Sequence, residues 1–263
     1  MNNNKICKFF QQGNCKHGDK CRFSHNLTQT TPVNNQYNNK PKRHHKKKNT
    51  QSFEPSHKPR DMTIRIADTT KETYDKEINT RDVVIAQNLF CQINDLTIYN
   101  KLLDEIKQSG KEEKGLWKEW HGDTHLIADD HINWKNDCPT FNMIIDKLAK
   151  FFKMDVKATR LNYFKDSSQW KPYHRDAAAV DERKAKTQNF TVGVSFGATR
   201  DASFEHFTTK TTVDIPLENG TIYCFAKTVN EEWMHGIPQL APEKQHNDGR
   251  ISIIAWGYVK LTD

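Results

Sequence analysis

The chain has 263 residues, room for one substantial domain and a small appendage. Only 35% of its residues are hydrophobic, and no run approaches the roughly 20 apolar residues that a membrane span needs. The net charge of +7 is unevenly spread: residues 1–60 hold 13 Lys/Arg against 2 Asp/Glu, and the remainder holds 27 against 31. A basic arm on a near-neutral body points to a polyanion held by the arm. The opening Met1-Asn2-Asn3-Asn4-Lys5 lacks the apolar run of a secretory signal. The expectation is a soluble intracellular protein, cytoplasmic or nuclear, with no membrane partner. Its six cysteines then serve as metal ligands or free thiols rather than disulfides.

Three parts follow in chain order. Residues 1–27 hold a compact Cys/His-rich segment. Residues 28–80 are rich in Asn, Thr, Lys and Pro, with the basic block Lys42-Arg43-His44-His45-Lys46-Lys47-Lys48, and read as a disordered linker. Residues 81–263 carry the apolar pattern of a globular domain. The spacing of Leu96, Tyr99, Leu102, Leu103 and Ile106 predicts a helix over 94–108. A second helix is expected over 140–152, with Thr140 as N-cap and Phe141, Ile144, Ile145, Leu148 and Phe152 as its stripe.

After 156 the period shortens to two. Phe190, Val192, Val194 and Phe196 alternate with polar or small residues, the pattern of a half-buried strand. Val213, Ile215 and Leu217 alternate again, Asn219-Gly220 signals a hairpin turn, and 221–225 reads as its return strand. Residues 251–256 make a last buried strand. Helices followed by many short strands imply an α+β fold with a jelly-roll core supported by helices.

Cys7, Cys15, Cys21 and His25 are spaced C-x7-C-x5-C-x3-H, a set suited to tetrahedral zinc in a segment too short to fold on apolar burial. Phe10 and Phe23 lie among cations that include Lys20 and Arg22, a platform on which unpaired bases could stack. The segment 15–25 resembles the CCCH zinc fingers of RNA-binding proteins, which implies Zn(II) and single-stranded RNA as ligands.

Tyr173-His174-Arg175-Asp176 supplies an H-x-D pair, and His235 follows at a distance in Trp233-Met234-His235-Gly236. Two imidazoles and one carboxylate leave open positions on Fe(II) for a bidentate keto acid and dioxygen. Arg250, at the start of the last strand, can grip a carboxylate through paired charge-assisted hydrogen bonds.

Residues 158–260 resemble the AlkB family of Fe(II)- and 2-oxoglutarate-dependent dioxygenases. The likeness rests on Leu161-Asn162, His174-Arg175-Asp176, 194–200, Gly220, His235-Gly236-Ile237-Pro238 and Arg250-Ile251-Ser252, in family order. It implies a double-stranded β-helix, iron at His174, Asp176 and His235, and 2-oxoglutarate at Arg250, Asn162 and Ser252, with dioxygen as second co-substrate. The implied activity is oxidative demethylation or hydroxylation of a nucleic-acid base, RNA before DNA, by a monomer. Three departures stand out. Phe164 fills a position where the family has a tyrosine that bonds the co-substrate, with Tyr163 adjacent. Ala177, Ala178 and Ala179 replace a base-reading carboxylate, and Trp256 replaces a second arginine. They keep open a protein hydroxylase or demethylase acting on an RNA-associated protein, and an RNA-binding regulator without activity. The dense segment 116–135, with Trp117, Trp120, His121, His125, Asp129, Asp130, His131 and Trp134, reads either as a lid over the substrate or as packing between helices and sheet. Cys91, Cys138 and Cys224 read as buried thiols.

Overall fold

The computed structural model describes residues 56, 59–120, 122 and 124–262, all within the compact unit Ser52–Asp263. The zinc-ligand set Cys7, Cys15, Cys21 and His25, with Phe10, Lys20, Arg22 and Phe23, lies outside the described residues.

Strands β1 (Thr63–Ile66), β2 (Ile78–Asn79) and β3 (Asp82–Ala86) come first, then helix α1 (Thr97–Gln108). Strands β4 (Trp117–Trp120) and β5 (His125–Ala128) precede helix α2 (Pro139–Phe152). The chain continues through β6 (Asp155–Phe164), β7 (Lys171–His174), the short helix α3 (Glu182–Ala185), β8 (Phe190–Gly197), β9 (Arg200–His206) and β10 (Thr212–Leu217). It ends with β11 (Ile222–Ala226), helix α4 (Lys227–Glu232), β12 (Trp233–Ile237), β13 (Arg250–Tyr258) and β14 (Leu261–Thr262). Eight strands form one sheet in the order β1-β3-β11-β8-β13-β6-β5-β4, and β10-β9-β12-β7 form a second; β2 and β14 pair by themselves. Among the described residues no helix is long and apolar enough to cross a membrane.

The centre of the large sheet is buried on both faces, and its side chains sort by the two-residue period of a strand. Val84, Ala86, Ile222, Cys224, Ile251 and Ile253 join α1 and α2 in one apolar cluster. Their neighbours Val83, Ile85, Tyr223, Phe225 and Ile254 face the other way, clustering with Ala202, Phe204, Val213, Ile215 and Trp233 of the small sheet and the α4–β12 junction. The molecule is thus helix layer, large sheet and small sheet, an α+β arrangement with the functional cleft between the sheets.

Several expectations change. The linker was expected to run to residue 80, but Thr63–Ile66 pairs in parallel register with β3, and Tyr74 is buried against Phe151 and Phe152. The polar average over 28–80 masks the alternating Met62-Thr63-Ile64-Arg65-Ile66. Strands therefore precede the helices. The first helix begins at Thr97, because the Asp95 carboxylate accepts from the Thr97 amide (3.0 Å) and holds a turn there. Thr140 is not the N-cap: the helix starts at Pro139, and the Thr140 amide and hydroxyl both donate to Glu105 of α1 (3.0 and 2.6 Å). The Asn219-Gly220 turn closes no hairpin, since β10 pairs with β9 while β11 pairs with β3 and β8. The turn carries the chain from one sheet to the other.

Candidate active site

The alternation in strand β8 predicts a half-buried strand; it is buried from Phe190 to Phe196. Its small and polar residues face the small sheet instead of water. In register across β8, β13 and β6 stand Gly197, Arg250 and Phe164; then Ser195, Ser252 and Asn162; then Gly193, Ile254 and Arg160; then Thr191, Trp256 and Ala158. This ladder is one wall of the cleft. At about 3.3 Å per residue, Arg250 and Trp256 sit roughly 20 Å apart along it.

The opposite wall brings the triad together. His235 on β12 is the direct cross-strand neighbour of His174 on β7, and Asp176 follows two residues after His174. The ligand-type atoms of all three lie within 4.8 Å of one another. Asp176 Oδ1 is 3.8 Å from His174 Nε2 and 3.7 Å from His235 Nε2. The strands can approach because Gly236 lies against β7, where an added Cβ would sit 2.7 Å from the Lys171 carbonyl.

Each member is oriented from outside. His174 Nδ1 donates to the Pro172 carbonyl (3.0 Å), which leaves the Nε2 lone pair directed inward. The Thr191 hydroxyl donates to Asp176 Oδ2 (2.8 Å), leaving Oδ1 for the centre. Asn230 of α4 accepts from the Asp176 amide (2.8 Å) and anchors the turn. His235 is wedged between Phe204 and Phe225. Burial pushes its imidazolium down to about 4, partly opposed by Asp176, so the ring is a neutral donor at physiological pH. Two imidazoles and a carboxyl group that present their atoms to one point are a donor set that fits Fe(II).

Arg250 stands on the other wall, 1% exposed. Its Nε donates to the Ser195 hydroxyl (2.8 Å) and its guanidinium lies over the Phe164 ring, 5.0 Å from the centroid. Its Nη1 and Nη2 are buried with no hydrogen-bond partner. Arg200 makes the contrast: also buried, it donates to the carbonyls of Ser167, Gln169 and Pro238 at 2.7–3.1 Å. A buried cation with two unused donors is costly until an anion arrives. Burial pushes Arg250 down to about 10, still protonated at neutral pH. The paired free nitrogens fit the distal carboxylate of a dicarboxylic keto acid. Asn162 and Ser252 are cross-strand neighbours one step along; Asn162 Nδ2 donates to the Ser252 carbonyl (3.2 Å), and its buried Oδ1 has no partner.

Between the triad and the end of the ladder lies a cavity of about 420 Å³, lined by Trp120, Arg160, Lys171, Arg175, Lys184 and Trp256 along with His174 and Asp176. The Arg160 guanidinium is held 4.4 Å from the Trp120 ring and 5.5 Å from the Trp256 ring. Burial pushes Lys171 down to about 8, partly opposed by Asp176.

The dense segment 116–135 divides. Trp134 packs on Phe141, Trp117 on Tyr163, and His125 stacks flat on Phe164 (4.9 Å, 8°). Of its described residues only Trp120 reaches the cavity; His121 lies outside the described residues. Asp129 accepts from the His131 amide and pairs with Lys118, a local turn. Cys91, Cys138 and Cys224 are buried and free.

Sequence reading missed Tyr223, Arg160, Lys171, Asn230 and Thr191. Tyr163 points away from the cleft, so it does not stand in for the hydroxyl absent at Phe164. Tyr223 does face the cleft, packed against Gly193, where an added Cβ would meet its ring at 2.5 Å. Burial pushes its phenol up to about 12, with Arg250 and Asp176 pulling in opposite directions, which places it within the electrostatic reach of both. The signal was the alternation Tyr223-Cys224-Phe225, but which face held the cleft was not readable. A second cluster, Asp61, His206 and Glu232, is bound up internally. His206 Nδ1 accepts from the Thr208 and Thr209 amides, so its Nε2 carries the proton toward Asp61 (3.2 Å), and Arg81 grips Glu232.

A family model described as the 2OG-Fe(II) oxygenase superfamily matches residues 7–255. No match was found among curated proteins.

Proposed function

As the chain belongs to the 2OG-Fe(II) oxygenase superfamily and is a 2-oxoglutarate- and Fe(II)-dependent dioxygenase, we propose that it oxidises a base of nucleic acid, single-stranded RNA before DNA, by demethylation or hydroxylation. In this reading the two sheets form the double-stranded β-helix of the AlkB family. His174, Asp176 and His235 hold the iron, and Arg250, Asn162 and Ser252 hold 2-oxoglutarate. Bound together with dioxygen, the two supply an oxidant that converts C–H to C–OH, with succinate and carbon dioxide released.

The chain's own residues do the rest. Thr191 and Asn230 fix Asp176, and the Pro172 carbonyl fixes the His174 tautomer. Arg250 orients the co-substrate by its distal carboxylate, and Tyr223 offers the hydroxyl that Phe164 lacks. The apolar cluster of Phe204, Phe225 and Trp233 excludes water from the histidine side.

One observation carries the nucleic-acid reading: flat rings and cations meet at the cavity. Trp120 and Trp256 line it, and the half-exposed Phe207 nearby lies under Arg175 (5.0 Å) and Lys210 (5.6 Å). Rings interleaved with cations suit stacked bases and a phosphate backbone. The Zn(II) finger and basic arm read from the sequence would raise the local concentration of the strand. Incubation with Fe(II), 2-oxoglutarate and a broad mixture of methylated RNA, followed by mass analysis of the nucleosides, tests it. The expected result is loss of a methyl group with formaldehyde release, or gain of one oxygen. No altered nucleoside with active enzyme would sink the reading.

A protein substrate is the second reading, favoured by the turn Ala177–Ala179, whose Ala177 presents no base-reading group to the cavity. An oxidised peptide in the same assay, with RNA untouched, would establish it.

A further inference from the structure

We infer that the substrate carries an anionic group, a phosphate, into the cavity beside the triad, held there by Arg160 and Lys171, and that cationic alkylated bases are turned away. The identity of the anion as phosphate rests on the nucleic-acid reading; the anion site itself does not.

Charge is the first argument. The cavity is lined by Arg160, Lys171, Arg175 and Lys184, and among the described residues that line it the one acidic side chain is Asp176. Asp176 is committed to the triad by geometry. The co-substrate does not relieve the imbalance. The two positive charges of Fe(II) and the one on Arg250 are met by Asp176 and the two carboxylates of 2-oxoglutarate. Among the described lining residues, no further carboxylate is left to meet Arg160 and Lys171 once both are bound.

The second argument is the absence of internal partners. Neither the Arg160 nor the Lys171 side chain makes a hydrogen bond or ion pair to another described residue, although both are partly buried. Arg200 and Arg81 show how the same fold treats a structural arginine, with carbonyls or a carboxylate on its nitrogens. Partly buried cations kept free of counter-charges are expensive unless a ligand supplies one.

The third argument is shape. The Arg160 guanidinium lies over both the Trp120 and the Trp256 ring, contacts that restrict its freedom to turn. A guanidinium edge beside a lysine ammonium matches the paired oxygens of a phosphate. The volume, about 420 Å³, lies within the range of small-ligand sites and accommodates a nucleotide. A base made cationic by alkylation would meet like charge here and find no carboxylate to accept it.

The test is calorimetric titration of the full-length protein, kept anaerobic with Fe(II) and saturating 2-oxoglutarate. The probes are uridine 5′-monophosphate, uridine and the cationic nucleoside 1-methyladenosine. Charge-assisted hydrogen bonds predict that the monophosphate binds at least about tenfold tighter than uridine, and 1-methyladenosine no tighter than uridine. Arg160→Gln and Lys171→Met should each remove most of that preference while Fe(II) binding is kept. Arg160→Lys, which keeps the charge, should retain part of it and guards against a folding defect. Equal binding of nucleotide and nucleoside, or an unchanged preference in both variants, would overturn the proposal. So would competition between the monophosphate and 2-oxoglutarate, which would assign the two cations to the co-substrate. An acidic peptide bound in place of the nucleotide, with the same dependence on Arg160, would keep the anion site and remove the nucleic-acid reading. Oxidation of RNA by Arg160→Gln at the wild-type rate would keep the nucleic-acid reading and remove the anion site.

Discussion

The two ends of the inter-sheet cleft handle an arginine in different ways. At one end Arg250 is fully enclosed, with Nε fixed by Ser195 and two nitrogens left bare. At the other Arg160 is held by two indole faces in an open cavity. An enclosed site with fixed donors suits one small molecule used in every turnover. An open one bounded by rings and cations suits a larger substrate that enters and leaves. The triad lies between, so in the proposed reading one row of strand residues serves both co-substrate and substrate. Of the three departures from the AlkB pattern, Ala177 and Trp256 line the open end, and Phe164 lies under Arg250 at the enclosed one.

The largest expected effect is at the centre shared by both ends. His235→Ala should lower succinate formation by at least about 100-fold and weaken Fe(II) binding, measured by metal titration, since even the outer supports of such sites are worth roughly 10- to 100-fold. Next is Arg250→Leu at the enclosed end. It should raise the KM for 2-oxoglutarate by about 10- to 100-fold with Fe(II) affinity kept. Because it removes a buried charge lacking a full set of partners, the free protein should melt no lower than wild type. A large fall in Tm would show that Arg250 is structural and would break the comparison. Thr191→Val should weaken Fe(II) binding by roughly tenfold and leave the 2-oxoglutarate KM near wild type. Tyr223→Phe should raise that KM by only about fivefold, the value of one neutral hydrogen bond.

The smallest effect is in pH dependence. His235 is depressed to about 4 in the fold, by burial, from the ordinary imidazole value of 6.5. The unfolded chain therefore takes up the proton first as pH falls. Stability of the metal-free protein is full above about pH 6.5 and is lost progressively down to about pH 4, by up to about 3 kcal/mol. Tm measured across that window checks it, and His235→Phe should flatten the dependence.

How much of this was legible in the sequence follows from periodicity. The metal-type residues stood out because H-x-D, His235 and Arg250 are chemically distinct and ordered along strands. The helices showed as apolar stripes because each has one exposed face. Strand β8 was misread because a polar residue facing a cleft looks the same in sequence as one facing water. Thr191, Gly193 and Ser195 are inside, lining the site. The hairpin at Asn219-Gly220 failed for another reason: a turn reports a change of direction, and the choice of partner strand is made by the sheets. Arg160 and Lys171 carried no signal, since a cation in a strand reads as a solvated face. The boundary near 80 was lost because composition averaged a strand together with its flanks.

The most direct measurement of the central claim is succinate released from 2-oxoglutarate by wild type and His235→Ala, with Fe(II), with and without methylated single-stranded RNA. The account predicts release by wild type that rises with RNA, and none above background from the variant. Equal release from both proteins, or release by wild type indifferent to RNA, would contradict it.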